Sequence, residues 1–186
     1  MDRRLLCLET KNTKLTPLVR NDVEFVFDLR ISNRTQYMNQ ISHNIDDQYA
    51  YFDEYVHRFN NGTEIYYKID DKSTSEKVGV VRLTEIDNTE TFCWESMVTI
   101  LGTKAVVSVD TFCLIYIAGF NLLERNRCSP FKVPKANKRV IELHEIMGIA
   151  DRVGETGDHW LYHVTRAKFT DGIKRMQRMG FGVTDV

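Results

Sequence analysis

The spacing of hydrophobic residues predicts one strand and two helices in the first third of the chain. Weak alternation from Leu5 to Glu9 predicts a short strand. Apolar residues from Val23 to Leu29 recur at helical spacing, and so do those from Tyr49 to Phe59. The acidic pair Asp46-Asp47 suits the start of the second helix, and the turn formers at 60–62 suit its end. The predicted order here is β-α-α.

The middle of the chain alternates in the way that antiparallel hairpins do. Three strand-like runs, Glu64 to Ile69, Val78 to Ile86 and Phe92 to Ile100, are separated by polar turn formers. The stretch from Gly102 to Ser108 is predicted as a loop. Val109 to Leu123 is apolar on nearly every side, which predicts a helix buried against the sheet.

The last third predicts a short strand, a helix, a strand pair and a basic final helix. These are Phe131 to Val133, Asn137 to Met147 with a glycine after it, Arg152 to Gly154 with Trp160 to Val164, and Asp171 to Met179. The order before the final helix is β-α-α-β-β-β-α-β-α-β-β. It predicts an α/β (α+β) fold with a mixed, mostly antiparallel central sheet and helices on both faces.

Composition narrows the class of protein. The 186 residues, 42% of them hydrophobic and 27% charged, suit a single folded domain over residues 1–186. A net charge of -1 gives no field that would attract nucleic acid. The chain lacks the leading apolar segment of a signal peptide, and its longest apolar run, Phe112 to Phe120, is too short to span a bilayer. Four scattered cysteines without C-x-x-C spacing suit a reducing compartment, so a cytoplasmic protein is expected.

Several segments resemble the GNAT family of N-acetyltransferases, and the resemblance covers nearly the whole chain. They are the strand Trp94 to Ile100, the apolar helix that ends Ala118-Gly119-Phe120, and Asn137-x6-His144-x3-Gly148-Ile149, which is similar to the family's Asn-x6-Tyr/His-x3-Gly-Phe signature. Leu29 to Asn33 and Tyr37-Met38-Asn39 resemble the branch that acts on ribosomal proteins and nucleotide-linked amino sugars. The resemblance implies the GNAT acyl-CoA N-acyltransferase fold, with acetyl-CoA as co-substrate and no metal.

The resemblance also implies a set of cofactor-binding residues. They are Met97, Val98, Thr99, Gly102, Thr103, Lys104, Val107, Ser108 and Asn137. The loop departs from the family's Arg/Gln-x-x-Gly-x-Gly/Ala pattern, because Val106 stands at the central glycine if Ser108 takes the last place. Glycine there allows close approach of the backbone to pyrophosphate. Two outcomes stay open: modified pyrophosphate binding helped by Ser108 and Lys104, or poor cofactor affinity.

Acetyl transfer to an amine requires a base for the amine and a proton for the leaving thiolate. Glu95 is the candidate base, because it lies between apolar neighbours such as Trp94, a setting that strengthens a carboxylate as a base. The alternative is a solvent-facing residue or a partner for Arg82. The resemblance implies that His144 is the acid near the sulfur, and the alternative is a satisfied core histidine.

Arg30, Asn33 and Asn39 are candidate acceptor-binding residues, since an arginine suits a diphosphate. The alternative for Arg30 is a helix-surface residue with a local ion pair. The favoured acceptor is the primary amine of a nucleotide-linked amino sugar in surface-polysaccharide biosynthesis. A protein or peptide amine, and a non-catalytic GNAT-fold binding module, are the alternatives; a homodimer is left open. A sugar nucleotide requires a positive pocket near Arg30, and a peptide requires an open acidic groove.

Overall fold

The computed structural model describes residues 6–32, 40–86 and 90–179. The strands in these ranges are β1 (Leu8–Glu9), β2 (Thr13–Pro17), β3 (Ile65–Asp71), β4 (Glu76–Thr84), β5 (Thr91–Thr99), β6 (Arg127–Pro134), β7 (Asp151–Thr156) and β8 (His159–Thr165). The helices are α1 (Val23–Ile31), α2 (Ile45–Asn60), α3 (Ala105–Ile117), α4 (Lys138–Met147) and α5 (Arg166–Arg178). A short 3₁₀ turn, Arg20–Asp22, precedes α1, and a π-helical turn, Ala118–Leu122, continues α3.

The strands form one sheet in the order β1-β2-β3-β4-β5-β6-β8-β7. Neighbouring strands are antiparallel except β5 and β6, which are parallel. These two pair only through Thr91 with Arg127 and Phe92 with Cys128. Past that point the described residues show no pairing between them, so the sheet opens into a wedge. The predicted mixed, mostly antiparallel sheet is confirmed.

Helices cover both faces of the sheet, as two consecutive residues of β5 demonstrate. Neighbouring side chains on a strand point to opposite faces. Trp94 packs edge-on against Phe112 of α3, with ring centroids 5.3 Å apart. Glu95 instead bonds to Arg82, which donates a 2.7 Å hydrogen bond to the Tyr51 hydroxyl of α2. One face of β5 therefore meets α3 and the other meets α2.

Helix α3 is the core helix that the sequence predicts. The stretch Ala105–Leu122 is long and apolar enough to cross a membrane by composition, but 67% of it is buried inside the fold. Burying one aromatic side chain such as Phe112 contributes roughly 1.5–3 kcal/mol. The apolar character of this helix is thus accounted for by its central place in the fold.

The hydrophobic pattern misses strand β2. Its sequence is largely polar, and Thr13 is nonetheless fully buried. The reason is a polar contact inside the fold: Thr10 and Thr13 donate to Asp110 Oδ2 of α3 at 2.5 and 3.5 Å. β1 is also shorter than predicted, and Leu5 lies outside the described residues.

Several predicted boundaries are wrong by a few residues. The loop predicted from Gly102 to Ser108 ends early, because α3 begins at Ala105 and packs its β-branched first turn against the core. Helix α2 is capped by Asn44, whose side chain accepts the Asp46 amide at 3.1 Å. Strand β6 and helix α5 also begin before their predicted starts. The glycine predicted to end α4, Gly148, does so in the left-handed conformation at φ 63°.

Candidate active site

A cavity of about 1160 Å³ lies where β5 and β6 diverge. Its walls include residues 93–99 of β5, residues 130–134 of β6, and the first turns of α4. Side chains of α1, α2 and α3 complete it. Because the two strands separate, the cavity reaches both faces of the sheet. It is large enough for an extended ligand of drug size or more.

A β-bulge in β5 lies in the wall of this cavity. The register between β4 and β5 shifts between Val80 and Arg82, and Ser96 adopts φ 58°. A non-glycine residue in this region costs of order 1–3 kcal/mol, and such strain clusters at functional sites. Ser96 and Met97 line the cavity together with Val98 and Thr99. No local pattern in the sequence predicts the bulge, because serine is not a residue that marks positive φ.

The predicted cofactor loop reaches the cavity through Ser108 alone, among the described residues between 100 and 110. Val107 is fully buried, and its amide donates to the Lys104 carbonyl at 3.1 Å. Gly102 has φ 88°, which only glycine adopts readily, and Thr103 precedes the helix cap. These residues shape the start of α3 rather than the cavity wall itself.

Lys104 is engaged by the β3–β4 turn. Its Nζ donates to Ser73 Oγ at 2.5 Å and lies 3.5 Å from Asp71 Oδ2. The Lys104 ammonium group is therefore already paired with the buried Asp71 carboxylate. The first amides of a helix have no intrahelical acceptor, and α3 carries no acidic residue in its first turn. Ala105 and Val106 accordingly present an N-terminus suited to an anion.

The expected apolar surroundings of Glu95 are wrong. Its side chain is 48% exposed and bonds to the guanidinium of Arg82. The reason is the alternation of the strand: Trp94 points to the opposite face. The alternative interpretation, a carboxylate partner for Arg82, is confirmed. Glu95 still lines the cavity, which leaves it within the site as a candidate base.

Arg82 is held from three sides. It contacts Glu95, the Tyr51 hydroxyl at 2.7 Å and Glu64 at 3.8 Å. Burial alone lowers the pKa of Arg82, but the neighbouring Tyr51, Glu95 and Glu64 raise it above its ordinary value. The guanidinium is thus a fixed, permanently charged part of the cavity wall.

His144 is completely buried among aromatic rings. Its Nδ1 lies 2.8 Å from the Val140 carbonyl, which can only accept, so Nδ1 carries the proton. Nε2 then accepts from the Tyr116 hydroxyl at 3.4 Å. Burial lowers the pKa of His144 to about 4. The imidazole is therefore neutral near pH 7, with neither nitrogen free to donate to a thiolate.

The geometry of His144 matches the alternative of a satisfied core histidine. Its ring stacks on Tyr162 and Trp94 at centroid distances of 5.3 and 6.2 Å, and lies 4.7 Å from the Phe112 ring. It borders the cavity without being exposed to solvent. A direct role as acid would require both of its hydrogen bonds to change.

On the other face of the sheet, Arg30 lines the cavity with Gln48, Tyr51 and Tyr66. Burial raises the pKa of Tyr66 to about 12, so its phenol is neutral. The other two predicted acceptor residues, Asn33 and Asn39, lie outside the described residues. Gln48 and Tyr51 were not predicted as site residues, because no motif marks them on their helix.

Asn137 both caps α4 and lines the cavity. Its Oδ1 accepts the Val140 amide at 3.4 Å, as an N-cap residue does. The side-chain amide nitrogen remains a donor for a ligand. The capping interpretation is confirmed, and the contact with pantetheine stays a prediction.

The charged lining of the cavity is strongly unbalanced. Five cationic side chains line the described wall, Arg30, Arg82, Lys132, Lys138 and Arg139, against one carboxylate, Glu95. Sequence reasoning missed the last three cations. The run of basic residues on either side of Asn137 was a signal that could have found them. Within residues 6–32, 40–86 and 90–179, no cluster of three or more histidine, cysteine or acidic residues forms a metal site.

A mostly antiparallel sheet that splits between two parallel strands, a cavity through the split and a helix N-terminus beside it define the GNAT acyl-CoA N-acyltransferase fold. The chain has this fold, and the solved structures that it matches include GNAT N-acetyltransferases. It is similar to FdhC in its apo form, described as a nucleotide-linked sugar GNAT: identity is 28%, coverage is 95% of this chain and 98% of that chain, and the TM-score is 0.82.

Spermidine N-acetyltransferase from Vibrio cholerae, in complex with CoA and spermine, shares the fold. It is 17% identical, with coverage of 86% of this chain and 98% of that chain and a TM-score of 0.68. No protein-family model matches the sequence. A comparison with curated protein sequences finds no match either.

Proposed function

We propose that the protein transfers the acetyl group of acetyl-CoA directly to the primary amine of a nucleotide-linked amino sugar. The observation that carries the proposal is the cavity through the divided sheet, lined by five cations and one carboxylate. Such a lining suits ligands that carry phosphate groups. Both acetyl-CoA and a nucleotide diphosphate sugar are ligands of that kind.

Acetyl-CoA is proposed to occupy the opening between β5 and β6. The backbone of Met97, Val98 and Thr99 lies along this opening, and among the described residues it pairs with no strand on the side that faces β6. Its amides and carbonyls are suited to the pantetheine arm and to the thioester oxygen. The start of α3 would bind the pyrophosphate through helix amides, with Ser108 at its rim. Asn137 would donate to the pantetheine arm from the opposite wall.

The acceptor is proposed to bind beside Arg30 and Arg82. A diphosphate pairs well with guanidinium groups. A polyamine would place its positive charges among five cations, and a peptide would meet no acidic groove in the described lining. The similarity to a nucleotide-linked sugar GNAT supports the same choice. With this acceptor, we place the enzyme in surface-polysaccharide biosynthesis in the cytoplasm, with the chain acting as one domain.

Transfer is proposed to occur in a ternary complex of enzyme, acetyl-CoA and acceptor. Glu95 takes the proton of the acceptor amine, directly or through a water. The neutral nitrogen attacks the thioester carbonyl, a C–N bond forms, and the C–S bond breaks to release the CoA thiolate. A backbone amide of β5 stabilises the oxyanion. The new amide nitrogen loses its surplus proton to water in the cavity, and the thiolate is protonated by that water, because both nitrogens of His144 are engaged.

Calorimetric titration with acetyl-CoA, followed by mass spectrometry of acceptor panels, tests the proposal. The panels are nucleotide diphosphate amino sugars, the same amino sugars without the nucleotide, spermidine, and a short peptide with a free amine. We expect acetyl-CoA to bind and one or more nucleotide-linked amino sugars to gain a single acetyl group. The matched control is the corresponding nucleotide sugar with a hydroxyl in place of the amine, which should not react.

Three results would overturn different parts of the proposal. No binding at millimolar acetyl-CoA would remove the co-substrate and revive the non-catalytic binding module. A higher kcat/KM for spermidine or for the peptide than for every nucleotide sugar would remove the acceptor. Equal turnover of the free amino sugar and its nucleotide form would show that the cationic lining does not select the acceptor.

A further inference from the structure

Three side chains form a row across the centre of the sheet, on the face that meets α2. Tyr66 of β3 pairs with Arg82 of β4, and Arg82 pairs with Glu95 of β5. Cross-strand neighbours of this kind lie on one face and contact each other directly. The Glu95 carboxylate is therefore placed at the end of a row that begins two strands away.

The row is anchored by a second ion pair. Glu64, just before β3, is buried, and its Oε2 accepts from Arg58 Nε of α2 at 2.7 Å. Its other oxygen lies 3.8 Å from Arg82. The Arg58 guanidinium also stacks over the Tyr51 ring at 5.0 Å. Arg82 is thus fixed by groups that are themselves fixed.

Within this row, the side chains of Arg82 and Glu95 differ in their exposure to solvent. The side chain of Arg82 is 22% exposed, whereas that of Glu95 is 48% exposed. A half-exposed glutamate samples several rotamers unless a partner restricts it. Its contact with a held guanidinium supplies that restriction. Displacement of a reacting group by about 1 Å costs of order 10²-fold in rate.

We propose that Arg82 is a positioning residue that holds the Glu95 carboxylate at the acceptor amine, with Arg58, Glu64 and Tyr51 holding Arg82. The inference rests on the proposed function, in which Glu95 accepts the amine proton. It assigns the central arginine of β4 to the orientation of the base rather than to the acceptor phosphates alone.

Four variants test this inference: Arg82→Met, Arg82→Lys, Glu95→Gln, and the double variant of Arg82→Met with Glu95→Gln. We expect Arg82→Met to lower kcat about 10- to 100-fold, with Arg82→Lys recovering part of the loss. Binding of acetyl-CoA in calorimetry should stay within about twofold. At saturating acceptor, the kcat of the double variant should be no lower than that of Glu95→Gln alone, because Arg82 affects the chemical step through Glu95.

A matched pair of residues elsewhere controls for the loss of an ion pair. Arg152 donates to Glu145 at 2.5 Å, and neither residue lines the cavity. The Arg152→Met and Glu145→Gln variants should therefore retain the rate of the unaltered enzyme. Tyr51→Phe removes one hydrogen-bond acceptor from Arg82 with little change in packing, and we expect kcat to fall roughly threefold. This variant replaces Arg82→Met as the test if Arg82→Met does not fold.

The outcomes separate this inference from the proposed function. A double variant whose loss is the product of the two single losses, or an unchanged rate in Arg82→Met, would overturn it. Crystal structures report the position of Glu95 without any turnover: a displaced carboxylate in Arg82→Met supports the inference, and an unmoved one contradicts it. Failure of the unaltered enzyme to acetylate any amine would instead remove the proposed function.

Discussion

The two faces of β5 at Trp94 and Glu95 differ in the groups that they contact. Behind Trp94 lie aromatic rings and the buried, neutral His144. Behind Glu95 lie Arg82 and further polar groups that remain partly exposed to solvent. One residue along a strand therefore separates a dry wall from a charged one.

This contrast is the reason for which we propose that the chemistry occurs on one face. A group that moves protons near pH 7 needs contact with the reacting atoms and a hydrogen-bond position that is free to change. Glu95 lines the cavity and has one carboxylate oxygen beyond its bond to Arg82. His144 has both nitrogens committed. The aromatic face thus supports the structure, and the charged face carries the proposed base.

The largest expected effect is that of Glu95→Gln. The amide keeps the size of the side chain but cannot accept the amine proton, so kcat should fall about 10²- to 10⁴-fold. Acetyl-CoA affinity should not change, because Glu95 lies on the opposite face of β5 from α3. Steady-state kinetics and calorimetry measure the two quantities, with Glu145→Gln as the control. Undiminished turnover would remove Glu95 from the mechanism.

The aromatic face is tested by the pH dependence of stability. Because burial lowers the pKa of His144 from its ordinary 6.5 to about 4, the unfolded chain binds the extra proton first as pH falls. The stability contributed by neutral His144 is complete above pH 6.5 and is lost as pH falls towards 4. The loss amounts to about 3 kcal/mol in the free energy of unfolding.

The variant His144→Phe provides the comparison, because it keeps a ring and removes the titration. At pH 7 it should cost about 1–3 kcal/mol, since the Tyr116 hydroxyl loses its acceptor. Towards pH 4 its stability should approach that of the unaltered protein and then exceed it. Denaturant unfolding at several pH values measures this. Parallel curves, or loss of most of kcat in His144→Phe at pH 7, would contradict a packing role.

The sequence predicts the helices and strands of the fold better than the side-chain contacts of the site. Hydrophobic periodicity locates α2, the three central strands and α4, since each buries one regular face. It misses β2, where Thr13 is buried for its hydrogen bond rather than for its hydrophobicity. In the site, the resemblance selects Glu95 and Asn137 as lining residues. The pairing of Glu95 with Arg82 depends on strand register, which no local pattern around either residue specifies.

The charged face is next tested through Arg30. Arg30→Met should raise KM for a nucleotide diphosphate amino sugar about tenfold, because a guanidinium–phosphate contact is lost. The KM for acetyl-CoA should remain unchanged. Arg20→Met is the matched control: Arg20 pairs with Asp53 on the exposed surface and does not line the cavity. An equal rise in KM for the free amino sugar would show that Arg30 does not contact the phosphates of the acceptor.

The smallest expected effect separates the helix-capping role of Asn137 from its proposed contact with the pantetheine arm. Asn137→Ala removes the cap of α4 and should lower the free energy of unfolding by about 1 kcal/mol. Asn137→Asp keeps the cap oxygen, and aspartate caps helices as well as asparagine does, so stability should be retained. Aspartate has no amide donor, however, so affinity for acetyl-CoA should fall in both variants if the side chain binds the pantetheine arm. Thermal unfolding and calorimetry measure the two effects separately. Retention of acetyl-CoA affinity in Asn137→Asp would reduce Asn137 to a helix cap and confine cofactor recognition to β5 and the start of α3.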